Sequence, residues 1–131
     1  MGKYGKAAVI AQELLRDSRH IDPPEAWYRA VSKVFPESPS ARDKGCPKGA
    51  FLGLCSEGFI RGVQPGAYTR SSDNRRYAVQ AAQKLQVAPS LAERPQDLWA
   101  EIMQGKEKTE NSQMDVVISL WKSGAIETPD V

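Results

Sequence analysis

The sequence predicts a mainly α fold: a compact six-helix single domain over residues 1–131, with one short β-hairpin around 59–70. Three observations lead there. Apolar residues recur at helical spacing almost throughout. Helix start and stop signals bracket those stretches. A chain of 131 residues also suffices for one core, because it can bury about two-thirds of its surface on folding.

Ala7, Ile10, Ala11, Leu14 and Leu15 follow an i, i+3, i+4, i+7, i+8 pattern and predict a first helix over 3–18. Asp22-Pro23-Pro24-Glu25 is a start signal: Asp22 caps, Pro23 suits the first helical position, and Glu25 completes a capping box. The second helix then buries Ala26, Trp27, Ala30, Val31 and Val34, and Pro36 stops it. Residues 36–46 read as a loop with one helical turn from Ser40.

Cys46-Pro47 opens a third helix with Pro47 first, carrying Phe51, Leu52, Leu54 and Cys55 and ending at Gly58. Phe59-Ile60-Arg61-Gly62-Val63 is short and β-prone, Pro65-Gly66 fits a type II turn, and Ala67 to Arg70 can return as a second strand. Ser71 or Ser72 caps the fourth helix, built on Tyr77, Ala78, Ala81, Ala82 and Leu85. The fifth runs from Pro95 to Gln104 with Leu98, Trp99 and Ile102 inward. Asn111 caps the sixth, where Met114, Val117, Ile118 and Trp121 share a face.

Composition excludes several classes. The longest apolar run, Ala50 to Cys55, is far short of the ~20 residues that span a bilayer. Gln12 and Glu13 interrupt the N-terminal apolar stretch before a secretory segment can form, so a cytoplasmic protein with no membrane contact is expected. Cys46 and Cys55 on one helix stand about 13 Å apart along its axis, too far for a disulfide. Two cysteines and the single His20 make no zinc spacing, so neither a metal nor a cofactor is expected.

Net charge is +2, unevenly distributed. Residues 42–89 carry eight basic and three acidic groups, and residues 90–131 four basic and eight acidic. An anionic partner is therefore expected on the middle third. Lys44-Gly45-Cys46-Pro47-Lys48-Gly49 surrounds a helix start, where unpaired N–H groups and two lysines favour an anion. The third helix and the hairpin together resemble the last helix and wing of winged-helix DNA-binding domains. That resemblance implies phosphate contacts from Lys48 on the helix and from Arg61 and Arg70 on the wing. Lys44, Arg75 and Arg76 extend the basic segment, and Tyr68 can stack on a base. Gly49, Ala50, Phe51, Leu52 and Gly53 offer no base-reading side chain, so such binding would be weakly sequence-specific.

Two other classes compete. Cys46, a thiol at a helix start between two lysines, is a candidate nucleophile, with His20 as the one available base. A thiol-dependent enzyme is the weakest reading, and no catalytic residue is assigned. A protein–protein interaction module, adaptor or inhibitor, could use the acidic C-terminal third. Cys46, Asn111 and Gln113 could also form a polar pocket.

Lys3-Tyr4-Gly5, the block KGCPKGAFLGLC over Lys44–Cys55, Gly66 with Tyr68-Thr69, and NSQMDVV over Asn111–Val117 resemble an uncharacterised family of small bacterial helical proteins. The resemblance covers the whole chain and implies no activity, ligand or catalytic residue. The leading expectation is a non-enzymatic binding protein whose segment 42–76 meets nucleic acid or another anionic partner.

Overall fold

The computed structural model describes residues 1–129. In chain order the helices are α1 Lys3–Asp17, α2 Pro23–Val34, the single-turn α3 Pro39–Arg42, α4 Gly45–Ser56, α5 Ser72–Val87, α6 Pro95–Met103 and α7 Gln113–Lys122. A 3₁₀ turn, Pro89–Glu93, precedes α6. The six long helices lie where the apolar spacing places them, because each buried stripe needs a helical period to reach one core.

Local signals set most ends. Asp22 Oδ1 accepts the Glu25 N–H at 2.9 Å, and Pro23 opens α2. Glu25 does not close the capping box; its carboxylate pairs with Arg29 at 3.5 Å. Ser71, rather than Ser72, caps α5. α4 starts at Gly45, so Pro47 is its third residue and not its first; the N–H that proline lacks has no intrahelical partner in a first turn. Asn111 does not cap α7. Glu110 Oε2 accepts the Met114 N–H at 3.0 Å, and Ser112 precedes the helix in a left-handed conformation, φ 73°.

The hairpin over 59–70 does not form. Ile60 makes an antiparallel bridge to Ile126, with Arg61 N–H donating to Ala125 O at 2.8 Å and Glu127 N–H to Phe59 O at 2.9 Å. Gly62, at φ 81°, turns the chain away immediately afterwards. The returning segment is held by α4 instead: Gly66 N–H donates to Ser56 O at 3.2 Å and Tyr68 N–H to Ser56 Oγ at 3.1 Å. A two-stranded ribbon is marginal alone, and here both of its halves find better partners elsewhere.

α4 is the central helix, buried from Gly49 through Ser56. It is apolar on all sides, the pattern of a helix enclosed by others. Trp27 of α2 stacks on Phe51 at 5.3 Å between ring centroids. The Trp27 indole N–H is buried with no acceptor among the described residues, a local cost of about 1–3 kcal/mol. Against α5 the approach is closer still. A Cβ at Gly49 would come within 2.8 Å of Asn74 Cβ, and one at Gly53 within 2.5 Å of Arg75 Cα.

Contacts at both ends establish helix directions. At one end Asp115 of α7 meets Gly2 and Gly5 at the start of α1, Gln113 meets Asn74 at the start of α5, and Asn111 meets Cys46 at the start of α4. At the other end Glu127 after α7 meets Phe59 after α4, and Gln86 near the end of α5 meets Thr128. α1, α4, α5 and α7 therefore begin at the same end of the molecule. Their aligned dipoles concentrate partial positive charge there.

Asp115 answers part of that charge. Its carboxylate accepts the Gly2 N–H at 2.8 Å and the Gly5 N–H at 2.6 Å, capping α1 from another helix. Any side chain at Gly5 would run into Ser119 and Asp115, with the Asp115 carbonyl oxygen 2.8 Å from a Cβ. Asp115→Ala should therefore lose about 1–2 kcal/mol of stability, the usual cost of a removed cap. Urea denaturation should show the loss, with Asp115→Asn recovering part of it. A midpoint unchanged in the alanine variant would contradict this role.

Candidate functional site

Four helices begin at one end of the fold, which gathers their partial positive charge there. Three of the four N-termini are answered by side chains: α1 by Asp115, α5 by Ser71 and α7 by Glu110. α4 has no side-chain cap. Its first turn, with Gly45 exposed and Cys46 half-buried, is a place where an anion could meet open N–H groups.

Lys44 precedes that turn and Lys48 lies within it. Arg70 adjoins Ser71, whose Cβ would stand 3.2 Å from a Cβ at Gly49. Lys44, Lys48 and Arg70 have no ion-pair partner among the described residues. Lys44 Nζ lies 5.4 Å from the Tyr4 ring centroid, and the Tyr4 hydroxyl donates to Ala41 O at 2.8 Å. Partial burial holds that hydroxyl above its ordinary pKa, in its donating form. Lys3 stands at the same end, Nζ 5.7 Å from the Phe35 ring centroid. The basic-segment reading missed Lys3 and Tyr4, which lie far off in sequence. Lys3-Tyr4-Gly5 is one of the blocks that carry the family resemblance.

The other expected anion contacts are paired with carboxylates or lie elsewhere. Arg75 pairs with Glu57 at 3.5 Å, and Arg76 with Asp73 at 3.0 Å. Arg61 follows α4 at its far end, where its Nε donates to Gly124 O at 3.2 Å. Twelve residues of α4 put about 18 Å between that end and Lys44. Tyr68 folds onto its own loop, with its hydroxyl donating to Gln64 O at 2.8 Å. The winged-helix arrangement does not form: 59–70 is not a wing, and α4 is enclosed by its neighbours and cannot enter a groove.

Cys46, Asn111 and Gln113 do come together. Asn111 Nδ2 lies 3.8 Å from Cys46 Sγ. Gln113 is fully buried; its Oε1 accepts the Asn111 N–H at 2.6 Å, and its Nε2 donates to Asn74 Oδ1 at 3.0 Å. Asn74 Nδ2 in turn donates to Ser71 Oγ at 2.9 Å. The chain of amides ties the starts of α4, α5 and α7 together, and both polar atoms of the Gln113 amide are used within it. Ser71 is expected from the sequence only as a helix cap, and Asn74 has no part in the sequence reading.

His20 lies beyond the C-terminus of α1, whose 15 residues span about 22 Å. Cys46 lies with the helix starts at the other end, so the two are not brought together. Cys55 is buried, and burial pushes its thiol far up, leaving it protonated. The described residues contain no group of three or more His, Cys, Asp or Glu that could hold a metal. No helix is long and apolar enough to cross a membrane. The exposed large apolar residues, Met1, Tyr28 and Val87, lie on separate elements rather than forming a patch. In the acidic C-terminal third, Glu93 pairs with Lys122 at 3.1 Å and Asp97 with Arg94 at 3.5 Å.

No curated protein and no solved structure matches this chain. A family model does match, over residues 1–127, and takes in every helix and the Ile60–Ile126 bridge. The chain belongs to that family, described as a family of unknown function (DUF6979).

Proposed function

We propose that this protein is a non-enzymatic binding protein that takes the phosphates of a nucleic acid on the end where α1, α4, α5 and α7 begin. One observation carries the reading. Lys44, Lys48 and Arg70, free of carboxylate partners among the described residues, stand around an uncapped helix N-terminus at that end. The unpaired cations Lys44, Lys48 and Arg70 and the helix dipoles there have the same sign, and a polyanion is the partner that such a field attracts. Contacts of this kind position a backbone without reading bases, so binding would be weakly sequence-specific. A cytoplasmic setting suits the two free thiols, Cys46 and Cys55.

Fluorescence anisotropy of labelled duplex DNA and single-stranded RNA tests the proposal. Three phosphate contacts on a duplex give a log–log salt slope near −2.7, so affinity should fall about 40-fold between ~50 and ~200 mM salt. Reversing Lys44, Lys48 and Arg70 to Glu should abolish binding. Arg61→Glu, on the far end, should leave it within about twofold, beyond what long-range screening transmits. Absence of binding at ~50 mM salt, or equal losses in both variants, would sink the proposal.

A further inference from the structure

Two aromatic rings stand at the end where the unpaired cations gather. Tyr4 on α1 and Phe35 just after α2 are half-buried, with ring centroids 4.8 Å apart and planes tilted by 40°. Each carries a lysine over it: Lys3 Nζ lies 5.7 Å from the Phe35 centroid, and Lys44 Nζ 5.4 Å from that of Tyr4. Neither lysine has an ion-pair partner among the described residues, although Glu37 and Asp43 lie between α2 and α4.

The rings are held in place. The Tyr4 hydroxyl donates to Ala41 O at 2.8 Å. Arg42 Nη1 donates to Phe35 O at 2.8 Å and to Pro36 O at 3.1 Å, which fixes the turn that presents the Phe35 ring. The lysines are held far less. An ammonium on a flexible stem over a solvent-facing ring is a weak contact, weaker than a base stacked on the same ring. A phosphate close by draws the ammonium to itself and leaves the ring to the neighbouring base.

We infer, on the nucleic-acid reading above, that the strand taken by this end is single. Lys3 and Lys44 pass from the rings to its phosphates, and an unpaired base stacks on the Phe35–Tyr4 pair. Lys48 and Arg70 hold phosphates further along. A duplex keeps its base faces inside its own stack, so it gains the phosphate contacts alone. Stacking of this kind accepts any base, which agrees with weak sequence specificity.

Fluorescence anisotropy of the full chain at ~50 mM salt tests this with three labelled ligands of equal phosphate number: oligothymidylate, the same strand without bases, and a duplex. Oligothymidylate should bind about tenfold more tightly than the abasic strand, the gain of roughly one base stack. Phe35→Leu should remove that gain and leave the abasic strand and the duplex within about twofold of wild type, and Phe35→Trp should keep it. An abasic strand bound within about twofold of oligothymidylate, or a Phe35→Leu loss shared equally by all three ligands, would overturn the single-strand assignment and leave the nucleic-acid reading standing. Failure of all three ligands to bind would remove that reading and the strand assignment together.

Discussion

Gly53→Ala should cost about 1–3 kcal/mol of stability, the net of two opposed effects. Alanine in a helix interior is favoured over glycine by about 1 kcal/mol. The new Cβ, however, would stand 2.5 Å from Arg75 Cα and 2.8 Å from Arg75 Cβ. The obstacle is the backbone of α5 rather than the end of a flexible side chain, so a whole helix has to move. Overpacking of that kind typically costs 1–3 kcal/mol and sometimes more. Moving α5 also pulls Asn74 from Gln113, which adds to the loss. Gly45→Ala is the internal control. A Cβ there meets nothing within 4 Å, so that variant keeps the propensity gain and should be at least as stable as wild type. Urea midpoints of the two variants check this, and a Gly53→Ala midpoint at or above wild type would refute the close α4–α5 crossing.

Gln113→Leu should cost about 1–3 kcal/mol for a different reason. Leucine fills much of the space, but Asn74 Oδ1 and the Asn111 N–H, both only partly buried, lose their partner. Each orphaned group costs roughly 1–3 kcal/mol, whereas removing both members of a pair can be nearly neutral. Asn74→Ala combined with Gln113→Leu should therefore cost less than the sum of the single variants, with a coupling of about 1–2 kcal/mol. A double-mutant cycle by denaturation measures that coupling. Strict additivity would mean that the amide chain does not hold the starts of α5 and α7 together.

These two sites differ in how readable they were. Gly49 and Gly53 were visible as small residues in an apolar helix, yet sequence spacing does not reveal that α5 passes against them. Gln113 was a candidate because it sits in a dense polar helix start. Its partner Asn74 lies 39 positions away, and nothing local marks it. Asp115 lies in the first turn of its own helix, yet its main work is on α1, 110 positions earlier. Asn111 was read as a cap and is instead a link between Cys46 and Gln113.

The basic segment shows the same division. Summed charge pointed correctly to an excess over 42–89, but a sum does not know which cations find carboxylates. Arg75 and Arg76 find them, whereas Lys44, Lys48 and Arg70 find none among the described residues. The expected hairpin failed because a strand's partner is decided by what lies beside it. Ile126 reaches Ile60 across the fold, and Ser56 holds the return segment.

The sequence alone determined the helical class and the approximate extents of six helices. It also marked Asp22 as a cap and narrowed the α5 cap to Ser71 or Ser72, of which the fold uses Ser71. Those properties depend on a few neighbouring residues, whose period and capping chemistry can be read directly. Tertiary structure alone decided that α4 is central, that four helices begin together, and that Lys44, Lys48 and Arg70 share that end. It also decided that the Tyr4 and Phe35 rings stand there beside Lys44 and Lys3. Each of these depends on which distant faces pack against one another, and that is a property of the whole core rather than of any local window.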